Sequence, residues 1–148
     1  MDFRQIPLGG GLLKTLAFKV RSANKYWRAG FRIASFEASE SMPKLVTKNS
    51  FLFHIGKNDD DTHCLSVYLD AVVVINKTID AKDGKEIFLT IERDDDNLVK
   101  CSVNNSVEYS SKFSPGLFAK AHLAAWGDGN NYEVEFSDIE YKTEDVHQ

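Results

Sequence analysis

Near the end of the chain, Trp126 stands directly before Gly127, Asp128, Gly129, Asn130 and Asn131. An aromatic ring beside amides and a carboxylate is suited to binding sugars. The ring stacks on the apolar C–H face of a pyranose while polar groups take its hydroxyls. The preceding "AHLAA" alternates, so if Leu123 points inward, Trp126 points outward at the end of its strand. By the same parity Tyr26, Arg28, Arg32, His54, Tyr68 and His122 fall opposite the apolar positions of their own segments. If their strands share a sheet, these six line its open side and join Trp126, Asp128, Asn130 and Asn131 as candidate ligand-binding residues. Arg28 and Arg32 are four residues apart on one strand, about 13 Å at the strand rise, too far to grip one carboxylate together.

Other residue types that could do chemistry are present without the spacing they need. Asp59, Asp60 and Asp61, and again Asp94, Asp95 and Asp96, could offer oxygens to calcium, but neither run has the D-x-[DN]-x-[DN]-G pattern. No metal ligand set is assigned, and calcium is kept only as a possible cofactor. Cys64 and Cys101 lack CxxC spacing and are expected to pack as small apolar residues. There is no G-x-S-x-G elbow and no Cys/His pairing at a recognisable spacing.

The elements that must position these residues read as strands. "LAFKV", "YWRAGFRIASF", "SFLFHIG", "CLSVYLD" and "EIFLTIER" each alternate apolar with polar residues, the mark of strands buried on one face. Turn chemistry separates them in "GKNDDDTH", "DAKDGKE", "RDDDN" and "SPG". In "LVKCSVNNSVEYSS", Asn104 and Asn105 tolerate the positive φ that a two-residue hairpin turn demands. In "NYEVEFSDIEYK", Tyr132, Val134 and Phe136 share one parity while Ile139 and Tyr141 share the other, which predicts a β-bulge near Ser137 and Asp138. Many short strands at this spacing predict an all-β, two-sheet antiparallel β-sandwich over residues 1–148 as one domain.

Composition narrows the function classes. A length of 148 residues, 43% apolar content, ten Phe and only three Pro fit one folded domain with a real core. A net charge of −4 with scattered basic residues excludes an ordinary nucleic-acid binder. No apolar run approaches the roughly 20 residues of a membrane-spanning helix. "MDFRQIPLGGGLL" shows no signal peptide, so the expectation is a cytoplasmic protein or a domain excised from a larger one.

Three segments together resemble the concanavalin A-like (laminin G-like) jelly-roll sandwiches. They are "EIFLTIERDDDNLVKCSVNNSVEY", "AHLAAWGDGNNYEVEFSDIEY" and "YWRAGFRI". The resemblance implies a jelly-roll fold that hosts lectins, interaction domains and glycosidases. The glycosidases of this fold carry an E-x-D-x-x-E strand, which is absent; Glu133, Glu135 and Asp138 are its nearest approach. Galectins carry H-x-N-P-R and W-G-x-E-x-R. Only Trp126-Gly127 of the second occurs, with Gly129 where the Glu belongs. The expectation is therefore a non-catalytic recognition module whose partner is a glycan or protein, carbohydrate being the leading choice. The alternatives are a protein-interaction or sensor domain of a larger, intracellular protein and, behind it, a glycoside hydrolase or lyase.

Overall fold

The structure is a computed structural model that describes residues 2–38, 45–129 and 132–145. Eleven strands form two antiparallel sheets among the described residues. The six-stranded sheet contains β1 (Asp2–Gln5), β10 (Lys120–Gly127), β3 (Trp27–Ala34), β4 (Ser50–Lys57), β5 (His63–Leu69) and β6 (Val72–Ile79), in that spatial order. The five-stranded sheet contains β11 (Glu135–Glu144), β2 (Leu12–Arg21), β7 (Ile87–Arg93), β8 (Leu98–Val103) and β9 (Ser106–Lys112). A short 3-10 turn at Pro115–Phe118 leads into β10.

Period-two alternation builds the core between the sheets. Phe31 and Ile33 of β3, Phe51, Phe53 and Ile55 of β4, and Leu65 and Val67 of β5 are fully buried. They face Leu16, Phe18 and Val20 of β2, and Ile87, Leu89 and Ile91 of β7, in one cluster. Phe31 stacks on Phe53 with centroids 5.3 Å apart, and Phe18 meets Phe31 edge-on at 6.3 Å. Each such side chain, moved out of water, stabilises the fold by roughly 1.5–3 kcal/mol. Asn104 and Asn105 have φ of 49° and 68°, the geometry of the expected hairpin turn.

The bulge in β11 is also present. Ser137 pairs with Lys19 and Glu140 with Ala17, so one extra residue is accommodated, with Asp138 at φ 49°. The bulge places Tyr141 opposite core residue Leu16, yet Tyr141 stays 40% exposed because β11 is an edge strand. The alternation read from Tyr132 onward is only partly strand, since β11 begins at Glu135. Two strands escaped the period-two reading altogether: the short β1, and β6, whose run of valines does not alternate.

Candidate functional site

The outward face of the six-stranded sheet carries a groove of about 750 Å³. Two glycines stand next to residues that line it. Gly30 of β3 pairs with His54 of β4, and Gly56 of β4 pairs with Arg28 of β3. A Cβ at Gly30 would stand 2.0 Å from the Phe53 carbonyl oxygen and 2.6 Å from the His54 Cα. One at Gly56 would stand 2.2 Å from the Trp27 carbonyl oxygen and 2.6 Å from the Arg28 Cδ. At Gly56 the space is taken by the Arg28 side chain, and at Gly30 by the close approach of the β4 backbone.

Aromatic rings form one side of this groove. His54 is 5% exposed, stacks parallel to Tyr68 at 5.8 Å and meets the edge of Trp126 at 5.0 Å. Burial, aided by the nearby Arg28 charge, lowers its pKa from 6.5 to about 4, so the imidazole is neutral at physiological pH. Among the described residues its Nδ1 is buried without a hydrogen-bond partner. Trp126 is half-buried and packs with Leu45, Leu52 and Ala124 in a small apolar cluster separate from the main core. Leu123 is inward and buried, as the outward reading of Trp126 requires.

Arg28 occupies the other end. Its Nη1 donates to the carbonyl oxygens of Trp27 (3.0 Å) and Lys57 (2.9 Å), and its Nη2 donates to Asn58 Oδ1 (2.6 Å). The guanidinium lies over Tyr26 with its carbon 4.4 Å from the ring centroid.

The structure thus brings together five candidates, Tyr26, Arg28, His54, Tyr68 and Trp126, as groove lining. Arg32 and His122 do not reach it. Arg32 is completely buried and holds the segment after it: Nε donates to the Leu45 carbonyl oxygen at 2.9 Å and Nη2 to Thr47 Oγ1 at 2.8 Å. That grip sets Leu45 beside the groove. His122 is covered by β1, with Phe3 stacked on its ring at 4.1 Å. Asp128 is exposed and does not line the groove, while Asn130 and Asn131 lie outside the described residues. The loop that follows Trp126 is drawn in at its base. Gly127 bridges to Gly129, and the Tyr132 side chain lies so close that a Cβ at Gly127 would meet its Cβ at 2.5 Å.

Sequence reasoning missed Asn58, Ser66 and Asn76, the groove's amide and hydroxyl groups. Ser66 and Cys64 share the parity of Tyr68 and were findable on that ground. Asn76 sits on the unforeseen β6. Ser66 and Asn76 Oδ1 are within 3.4 Å of each other.

Elsewhere, the acidic runs serve their own turns. Asp60 Oδ1 accepts from the Thr62 backbone N–H and hydroxyl, and Asp94 Oδ1 accepts from the backbone N–H groups of Asp96 and Leu98. Among the described residues no group of three or more His, Cys, Asp or Glu could hold a metal ion. Both cysteines are free and buried, and burial pushes the Cys101 thiol well above its ordinary range. Glu135 is tied to Arg21 by an ion pair on the edge of the other sheet. No helix of the described residues is long and apolar enough to cross a membrane.

Neither a protein-family model nor a curated protein matches the sequence. Solved structures do match the fold. A variant of human galectin-16 is 14% identical, aligns over 97% of this chain and 95% of its own, and gives a TM-score of 0.50. The carbohydrate-binding module CBM66 from Bacillus subtilis is 14% identical, aligns over 90% of this chain and 76% of its own, and gives 0.55. The likeness is one of fold: this chain has the two-sheet, jelly-roll sandwich architecture of these proteins.

Proposed function

We propose that this protein is a non-catalytic carbohydrate-recognition module and that the groove on the six-stranded sheet is its binding site. The observation that carries the reading is the juxtaposition of Trp126, His54 and Tyr68 with Asn58, Ser66 and Asn76 in one groove. The partly buried Trp126 offers a ring to the C–H face of a sugar, and the amides and hydroxyl supply both donors and acceptors to its hydroxyl groups. That one structural neighbour is itself a carbohydrate-binding module supports the same choice. The test is a glycan array followed by calorimetry on the best ligand. Trp126→Ala is expected to weaken binding by up to about tenfold while circular dichroism stays unchanged, because an aromatic contact contributes on the order of 0.5–1.5 kcal/mol beyond its area burial. Absence of binding to every glycan class would overturn the proposal.

A protein-interaction reading has one observation in its favour. Val72, Val73 and Val74 on edge strand β6 are 61%, 50% and 42% exposed, and an unpaired apolar edge is a surface on which another chain can add a strand. Native pull-down with wild type and a Val73→Lys variant separates the two readings. A partner lost on that substitution supports interaction, and a clean failure of capture by the wild type counts against it.

A further inference from the structure

Arg21 pairs with Glu135 and Arg93 faces Glu144, whereas among the described residues Arg28 has no carboxylate beside it. A guanidinium presents five N–H groups in a planar fork. Both hydrogens of Nη1 are spent on the Trp27 and Lys57 carbonyls, and one of Nη2 on Asn58. Among the described residues nothing accepts from Nε–H, and Nη2 keeps one hydrogen beyond the bond to Asn58. Nε and Nη2 form the side of the fork that can face two oxygens of a single anion. Three hydrogen bonds and the Tyr26 ring hold the group in place, so little side-chain entropy remains to be lost on binding.

The groove also lacks any charge to balance it. Among the described residues that line it there is no Asp or Glu, and Arg28 is the one permanently charged group. His54, neutral at physiological pH, adds no second cation and no anion. We infer that the glycan taken by this groove bears an acidic group, a carboxylate or a sulfate, whose oxygens seat on the Nε–Nη2 edge of Arg28 while the sugar ring lies toward Trp126. The inference rests on the carbohydrate reading above and names the class of sugar within it.

The experiment is calorimetry of the full chain with matched pairs of oligosaccharides. One pair is a uronate oligosaccharide and its carboxyl-reduced neutral counterpart; the other is a sulfated oligosaccharide and its desulfated form. The acidic member of at least one pair is expected to bind about tenfold more tightly than its neutral partner, as a charge-assisted bidentate contact provides. The advantage should shrink as salt is raised and vanish in Arg28→Met, read as the ratio of acidic to neutral affinity within each protein. The pair that shows the gain identifies the source of the anion. Should Arg28→Met fail to fold, the matched pairs and the salt series decide alone. Equal binding of acidic and neutral partners overturns the inference, as does an acidic advantage that persists in folded Arg28→Met. Neutral binding that depends on Trp126 without any acidic gain sinks this inference alone. Failure of every oligosaccharide to bind sinks the carbohydrate reading with it.

Discussion

The two outward faces of the sandwich come from the same alternating pattern and differ in almost every other respect. On the five-stranded sheet the outward positions of β2 and β7 include Lys19, Thr90 and Glu92. Their charged neighbours meet in solvent: Lys19 pairs with Asp138 at 3.0 Å, and Lys14 with Asp95 at 2.8 Å. None of the five strands contains a glycine. On the six-stranded sheet the adjacent strands β10, β3 and β4 hold Gly127, Gly30 and Gly56, and the outward His54 and Arg32 are buried. An outward side chain on the first face is the solvated half of an amphipathic strand. On the second it is packed against its neighbours, His54 as a wall of the groove and Arg32 under the segment at Leu45. Polarity on the open side of a strand therefore says little about binding until the residue opposite is known.

The hardest blow to this contrast is a methyl group at its centre. Gly30→Ala forces the new Cβ against the backbone of β4, and the shift that relieves the clash is expected to cost roughly 4 kcal/mol in urea denaturation. Thr90→Ala on the opposite sheet should cost no more than about 0.5 kcal/mol. Equal losses in the two variants would show that the close approach at Gly30 has no special role.

A smaller effect is the acid sensitivity of the groove face. The folded pKa of His54, about 4, lies below its ordinary 6.5, so the unfolded chain binds a proton in that window that the folded chain refuses. Stability from this group is fully present above pH 6.5 and falls as pH drops toward 4, by about 3 kcal/mol in total. His54→Phe keeps a ring between Tyr68 and Trp126 and should flatten the fall relative to wild type in melts taken from pH 7 to 4. Parallel curves for the two proteins would mean that the imidazole is not held neutral.

The smallest effect belongs to the solvated face. Lys19→Ala removes an exposed ion pair and should leave the melting temperature unmoved at any ionic strength, because such pairs contribute little net stability. A clear drop would place that face among the stabilising parts of the molecule and weaken the contrast.

Most strands were legible because one buried face per strand imposes period two, and even the bulge at Asp138 showed itself as a switch of parity. β6 was not. Its valines do not alternate, and its turn places Asp70 and Ala71 at φ 51° and 69°. Turn chemistry calls for Gly or Asn at the second of these positions, and alanine hides the hairpin. β1 has four residues and pairs with β10 alone, so it left no pattern of its own. Parity did put Arg28, His54, Tyr68 and Trp126 on the outward side. It could not reveal that Phe3 covers His122, or that the segment around Leu45 takes up Arg32, because those contacts join residues far apart in the chain. The amide of Asn76 was lost along with the strand that carries it.

The tie after Trp126 fixes the residue that follows the ring. Gly127 is bridged to Gly129 and overlain by Tyr132, so any side chain at position 127 would displace Tyr132. Packing, and not a special backbone conformation, therefore sets the residue directly after Trp126 as glycine.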